Sequence, residues 1–214
     1  MTHALLWAAG GTGLTFLLTS LGAATVFFFR RAASPHLHRI LLGFAAGVMI
    51  AASVWSLLIP AISQADAMGM AGWIPAAGGS LLGIGFLTVM DALLPHLTPE
   101  SFHLKSGPDT RRRSALLVLA VTLHNIPEGM AVGISFALAA YSGDPAALTA
   151  AMALALGIGI QNFPEGAAIS LPLRQEGMSR GRAFVMGSLS GLVEPVFGIL
   201  TVLIAGSIQP LMPW

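Results

Sequence analysis

The chain has 214 residues, of which 55% are hydrophobic and only 9% are charged, and its formal net charge is +1. Soluble domains carry about 25% charged residues, so this composition excludes an ordinary soluble domain, and we expect no nucleic-acid partner. The chain has no cysteine, which excludes both a disulfide framework and a metal site built on thiolates.

Long apolar stretches recur along the chain, each long enough to cross about 30 Å of hydrocarbon as a helix. They predict an all-α, polytopic membrane helical bundle that forms a single transmembrane domain over residues 1–214. About six transmembrane helices are expected, at approximately 4–29, 40–62, 72–94, 114–140, 146–172 and 182–208. The 25 glycines suit such a bundle, because small residues let helices approach closely in a bilayer.

The first stretch is interpreted as a membrane span. It has no basic residues ahead of it and is too long for the apolar core of a cleaved signal peptide. Basic residues then mark one side of the membrane, since all ten lysines and arginines lie in the segments 30–39, 95–113 and 173–182. Positively charged loops stay in the cytoplasm, so we predict that these loops are cytoplasmic and that the N-terminus is outside. The expected location is the cell (inner) membrane, with lipid around the bundle.

The most informative motif occurs twice inside apolar sequence, as His124-Asn-Ile-Pro-Glu-Gly and again as Gln161-Asn-Phe-Pro-Glu-Gly. A charge at the bilayer centre costs about 2.5–3.5 kcal/mol on insertion scales, so membrane helices place such residues where they line a polar site. Residues three and four positions apart share a helix face. Each motif therefore gathers its polar side chains: His124, Asn125 and Glu128 on span four, and Gln161, Asn162 and Glu165 on span five.

Prolines accompany each of these carboxylates. Pro127 and Pro164 remove helical hydrogen bonds and predict kinked helices four and five around a midplane site, a recurring arrangement in transporters. The sixth span adds Glu194 beside Pro195. Three glutamates facing lipid would cost on the order of 8–10 kcal/mol, and a bound divalent cation would balance their charge.

An imidazole with carboxylates is a zinc-like ligand set that also suits iron, manganese or cadmium. Calcium and magnesium prefer oxygen ligands alone, so His124 argues mildly against them. A thioether would soften the site, and Met49 on span two is the best-placed candidate. We therefore predict a divalent metal transporter in which the metal is a bound substrate and not a cofactor.

Taken together, these residues resemble the ZIP (zinc/iron-regulated transporter-like) metal transporters, and within them the GufA-like branch. The likeness covers nearly the whole chain. It rests on the two motifs above and on three further segments: Ser190-Gly-Leu-Val-Glu-Pro, Gly43-Phe-Ala-Ala-Gly-Val-Met and Asp91-Ala-Leu-Leu-Pro-His.

The resemblance implies a binuclear site between spans four and five, bridged by Glu128 and Glu165. The primary site would comprise Met49, His124, Glu128 and Glu165. The second site would be surrounded by Asn125, Glu128, Gln161, Asn162, Glu165 and Glu194. The resemblance further implies metal entry into the cytoplasm by alternating access, a homodimer, and an elevator-like movement of spans one, four, five and six.

Two features depart from the family pattern. Asn162 stands where some members have aspartate, which removes a negative charge from the second site. The family usually has eight spans, so we expect the last two helices, part of the static scaffold and dimer region, to be missing from this chain.

Three other functions are weighed on the residues alone. A passive divalent metal channel would need continuous helices along a hydrated pore, whereas broken helices around one site favour alternating access. An intramembrane metalloprotease would need His-Glu-x-x-His, but the spacing here is His-x-x-x-Glu, and we expect no enzyme. A structural subunit would not need the buried carboxylates.

Overall fold

The structure, a computed structural model of the chain, describes residues 2–28, 35–97 and 108–208. Every regular element within these ranges is helical, which confirms the all-α prediction. A 3₁₀ turn, Thr25–Phe27, continues the first helix, and a π-helical segment, Ser53–Leu58, joins the second to the third. The helices are α1 (Thr2–Ala24), α2 (Pro35–Ala52), α3 (Ile59–Ala67), α4 (Trp73–Leu97), α5 (Pro108–Ser142), α6 (Pro145–Gln175), α7 (Arg180–Gly191) and α8 (Val193–Ile208).

Four helical stretches of the described chain are long and apolar enough to cross a membrane: Thr2–Phe27, Leu116–Ser142, Pro145–Gln175 and Arg180–Ala205. They coincide with predicted spans one, four, five and six, and they support an integral membrane protein. The apolar helices at predicted spans two and three, Ala46–Trp55 and Trp73–Val89, are shorter, so the count of six stays a prediction. Parts of the predicted basic loops 30–39 and 95–113 lie outside the described residues.

The helices that carry the repeated motif form the centre of the molecule. Helix α1 packs along α6, α5 packs along α8, and α7 closes the group against α1 and α6. Buried side chains such as Val132, Leu154 and Val202 fill one end of this bundle, and Ile169 and Leu173 fill the other. Helices α2 and α4 lie at its side, where α2 contacts α6 and α4 contacts α5.

Glycines bring the helix backbones of the central bundle into direct contact. A Cβ atom on Gly22 of α1 would overlap the main-chain carbonyl of Phe163 on α6. A Cβ atom on Gly166 of α6 would overlap the carbonyl of Thr19 on α1. On the other side of the bundle, Gly129 of α5 faces the backbone of Glu194 in the same way. These contacts hold α1, α5, α6 and α8 at the short distances that small residues allow.

The side helices are packed differently. Ideal Cβ positions on Gly43 and Gly47 of α2, and on Gly83 and Gly85 of α4, meet no atom within 4 Å. At these four glycines, α2 and α4 therefore make no backbone-to-backbone contact with the part of the chain that the structure describes.

The sixth predicted span consists of two helices. Helix α7 ends at Gly191, the N–H of Leu192 donates to the carbonyl of Leu189 at 3.1 Å, and α8 begins at Val193. Pro195 has no N–H to donate to the carbonyl of Gly191, so the helix cannot continue through this point with its normal bonding. Helices α5 and α6, in contrast, run without interruption through Pro127 and Pro164, and the predicted kinks remain a prediction.

Candidate metal centre

His124 and Glu128 lie one turn apart on α5, where the i,i+4 spacing places them. Nε2 of His124 is 3.6 Å from Oε1 of Glu128. The side chain of His124 is 40% exposed and that of Glu128 is 11% exposed. The imidazole therefore reaches open space while the carboxylate stays inside the bundle.

A cavity of about 410 Å³ lies beside this pair, between the central bundle and the side helices. Met49 and Ser53 line it from the second span, so the predicted thioether faces the same space as His124 and Glu128. The other lining residues are mostly apolar: Leu57, Leu82, Gly83, Phe86, Leu87, Pro127, Ala131, Leu154 and Ile158. The polar side chains that line the cavity thus come from α5 and the second span.

The second motif reaches Glu128 from α6 through an amide. Nε2 of Gln161 donates to Oε1 of Glu128 at 2.8 Å and also donates to Oδ1 of Asn162. Nδ2 of Asn162 in turn donates to both oxygens of Glu194, at 2.9 and 3.0 Å. One continuous chain of hydrogen bonds therefore joins α5, α6 and α8, and it ends on a carboxylate at each side.

Helix α1 completes the surroundings of Glu194. This carboxylate is fully buried and lies beside the hydroxyl groups of Thr15 and Thr19. Nδ2 of Asn162 is also 3.5 Å from the carbonyl oxygen of Thr15. Sequence analysis missed this contribution, although Thr12, Thr15 and Thr19 recur at helical spacing in an otherwise apolar span and are all buried.

Asn125 connects α5 to the interruption between α7 and α8. Its Nδ2 donates to the carbonyl of Ser190 at 3.1 Å, in the last turn of α7. Carbonyls in the last turn of a helix lack partners within the helix, so a side-chain donor is valuable there. This contact fixes the direction of the amide, and Oδ1 of Asn125 has no hydrogen-bond partner within the described ranges.

Three buried oxygens of the two motifs have no partner among the described residues: Oδ1 of Asn125, Oε2 of Glu128 and Oε1 of Glu165. Glu165 itself lies beside Asn125 and Gln161. An unpaired buried acceptor costs about 1–3 kcal/mol, so three of them in one region need an explanation. Carboxylate and amide oxygens are ligands that divalent cations accept, and the donor set therefore fits a bound metal.

The amides of Gln161 and Asn162 both present their N–H groups to carboxylates. An ionised carboxylate only accepts hydrogen bonds, so a neighbouring amide must turn its nitrogen towards it. In line with this geometry, no three His, Asp or Glu side chains in the described part of the chain are grouped ready to hold a metal.

The fold and this site define a class: an integral membrane protein with an imidazole, carboxylates and amides clustered inside its helical bundle. The sequence profile of the family described as "ZIP Zinc transporter" matches residues 101–213. The chain is 37% identical to zinc transporter ZIP11 of Xenopus tropicalis, over 95% of this chain and 82% of that protein. It is 38% identical to zinc transporter GufA of Myxococcus xanthus, over 92% of this chain and 75% of that protein.

The chain therefore belongs to the ZIP family and has GufA-like relatives, which confirms the resemblance seen in the sequence. It is a transporter and not an enzyme, so the metalloprotease alternative is excluded.

Proposed function

We propose that this protein carries divalent metal ions, zinc first, through the membrane into the cytoplasm. The observation that carries the proposal is the set of three buried, unpartnered oxygens on Asn125, Glu128 and Glu165. The relatives named above as zinc transporters supply the choice of metal, and iron, manganese and cadmium suit the same donors. The proposed ligands are Met49, His124, Asn125, Glu128, Gln161, Asn162, Glu165 and Glu194.

The primary site lies where Met49, His124 and Glu128 line the cavity. His124 supplies a nitrogen, Glu128 and Glu165 supply charge, and Met49 supplies a sulfur from the opposite wall. Two carboxylates neutralise a divalent ion, and an imidazole with carboxylates is typical of zinc sites.

A second site around Asn162 and Glu194 completes the proposed binuclear centre. Its ligands carry one negative charge less than they would with aspartate at position 162. Both oxygens of Glu194 already accept hydrogen bonds from Asn162, so a metal there would compete with this amide for them. We therefore expect the second metal to be held more weakly than the first.

The cavity is the proposed entrance for the metal. In the predicted orientation α5 runs outwards and α6 runs inwards, so Ala131 and Leu154 lie on the outer side of the motifs. Leu57 follows Met49 towards the same side. The cavity therefore leads from the site towards the outside, and entry from there delivers metal to the cytoplasm.

Alternating access is the proposed mode of movement, with the central bundle moving past the side helices. Glycine contacts at Gly22, Gly129 and Gly166 join the bundle helices backbone to backbone. A bundle joined in this way favours movement as one unit over a passive channel. The cell membrane as its location, and a homodimer of such subunits, are proposals that follow from the family resemblance.

Uptake into proteoliposomes tests the proposed function. Purified protein is reconstituted, and entry of zinc, cadmium, manganese and iron is followed for the unchanged chain, for Glu128→Gln and for Ser80→Ala. Ser80 is exposed on α4, where its hydroxyl donates to the carbonyl of Ala76, and it serves as the control. We expect zinc uptake by the unchanged chain and the control, and little by Glu128→Gln. No uptake of any metal by the unchanged chain would contradict the proposal.

A further inference from the structure

The two amides of the second motif are donors to buried carboxylates, although the proposed function also needs their oxygens. The nitrogen assignment follows from chemistry, because Nδ2 of Asn162 lies 2.9 and 3.0 Å from the two oxygens of Glu194. An amide oxygen in that position would face two acceptors. The same reasoning places Nε2 of Gln161, and not its oxygen, against Glu128.

The two amides are also connected to each other. Nε2 of Gln161 donates to Oδ1 of Asn162 as well as to Glu128. Turning the Gln161 amide would therefore remove the donor from Glu128 and, in the same movement, free the oxygen of Asn162. The two side chains cannot change direction independently without leaving an acceptor unpaired.

We propose, on the basis of the proposed transport function, that Gln161 and Asn162 form an amide switch. While the carrier returns without metal, their N–H groups stabilise the carboxylates of Glu128 and Glu194. When a metal binds, the amides turn and offer their oxygens to it. Asparagine and glutamine are suited to this task, because a neutral amide has both a donor and an acceptor group on one side chain.

The switch addresses a general difficulty for a carrier of cations. Its site must be negative enough to bind the metal, yet it must also cross the membrane interior empty, where unpaired charges are expensive. Donors supplied by the chain itself reduce this cost on the empty return step only. Aspartate at position 162 would keep an oxygen for the metal but would lose the donors to Glu194.

Comparing net uptake with metal exchange tests the switch. Net uptake, into vesicles that contain no zinc, requires the empty carrier to return. Exchange of labelled zinc, with zinc on both sides, does not. For Asn162→Asp and for Gln161→Glu, both rates are measured, and the ratio of net uptake to exchange is compared with that of the unchanged chain. We expect the ratio of net uptake to exchange to fall at least about tenfold, because hydrogen bonds to a buried charge are lost on the return step alone.

Asn162→Leu, which keeps approximate size but loses both oxygen and donors, is the matched comparison. It should lower exchange as well as net uptake, because the metal loses a ligand. A ratio of net uptake to exchange that is unchanged in Asn162→Asp and Gln161→Glu would overturn the switch. Absence of both activities in the unchanged chain would instead overturn the transport function.

A second measurement uses the unchanged protein and does not depend on the folding of variants. Nuclear magnetic resonance of side-chain NH₂ groups, with asparagine and glutamine labelled with ¹⁵N, is recorded with zinc and after its chelation. We expect one asparagine and one glutamine NH₂ signal to move from hydrogen-bonded positions when zinc binds and to return after chelation. NH₂ signals that zinc leaves unchanged, at saturating occupancy, would overturn the proposal.

Discussion

Among the individual side chains, Glu128 connects the two motifs. One of its oxygens accepts from Gln161 and lies 3.6 Å from Nε2 of His124, while the other is buried without a partner among the residues that the structure describes. A carboxylate shared between two helices in this way is suited to hold a metal that both motifs bind. A useful substitution at this position removes the negative charge and one carboxylate oxygen but keeps the shape of the side chain.

Glu128→Gln preserves the shape of the side chain but removes its charge. Outer-shell partners of metal ligands already cost 10–100-fold in affinity when lost, so we expect zinc binding to weaken by more than about 100-fold. His124→Ala should have a smaller effect, because the imidazole is 40% exposed at the edge of the site. Calorimetric titration of both variants and of Ser80→Ala checks this order. Affinities near that of the unchanged chain in both would show that α5 does not hold the metal.

Asn125 permits a separate prediction about stability. Asn125→Ala removes the donor to the carbonyl of Ser190 and leaves that carbonyl in the last turn of α7 without this bond. We expect the free energy of unfolding in detergent to fall by about 1–3 kcal/mol, the cost of a buried group left unpaired. Thr149→Ala, at an exposed position on α6, is the control. Equal losses in both variants would mean that the Ser190 contact adds nothing.

Sequence predicted the grouping of these side chains better than their orientation. Helical spacing alone placed His124 beside Glu128, because both lie on one helix. The direction of the Asn162 amide could not be predicted, since Glu194 decides it from another helix. The contribution of Thr15 was missed for the same reason: its carbonyl comes from α1, and no local pattern connects α1 to α6.

At the scale of the helices, hydrophobic length predicted four spans that the structure shows, while the kinks predicted at the prolines stay a prediction. The four long apolar stretches found in the structure match predicted spans. Pro127 and Pro164 nevertheless lie inside uninterrupted helices, and the interruption occurs at Leu192 in the sixth span. Neighbouring helices in a bilayer can supply partners to groups that proline leaves unpaired, so a proline by itself does not end a helix there.

The close approach of α1 and α6 gives a prediction for the helices. Gly166→Ala would place a Cβ atom against the carbonyl of Thr19, and the helices would have to separate. Such overpacking costs about 1–3 kcal/mol, and we expect a matching loss of stability in detergent unfolding. Gly85→Ala on α4 meets no atom and should be neutral or stabilise its helix by about 0.5–1 kcal/mol. A Gly166→Ala protein as stable as Gly85→Ala would contradict the close contact.

At the scale of the whole molecule, a cavity lies between the central bundle and the side helices α2 and α4. The central bundle holds both motifs and is joined through glycines, whereas α2 and α4 form the other cavity wall through Met49, Leu82 and Phe86. Every proposed ligand except Met49 therefore lies in the central bundle, while Met49 belongs to the other part. Movement between the parts would change the distance from Met49 to His124. Metal binding would weaken as Met49 moves away, which would favour release.

The direction of transport depends on the orientation of this body, which thiol labelling can determine. The chain has no cysteine, so single substitutions introduce the only reactive thiol. With a charged reagent added outside cells, we expect Tyr141→Cys, beyond the end of the first motif on α5, to react, and Gln175→Cys, beside the third basic loop, to stay unmodified. Leu57→Cys, which lines the cavity, should also react from outside if the cavity is the entrance. Reaction of Gln175→Cys but not Tyr141→Cys would invert the orientation, and with it the proposed flow of metal into the cytoplasm.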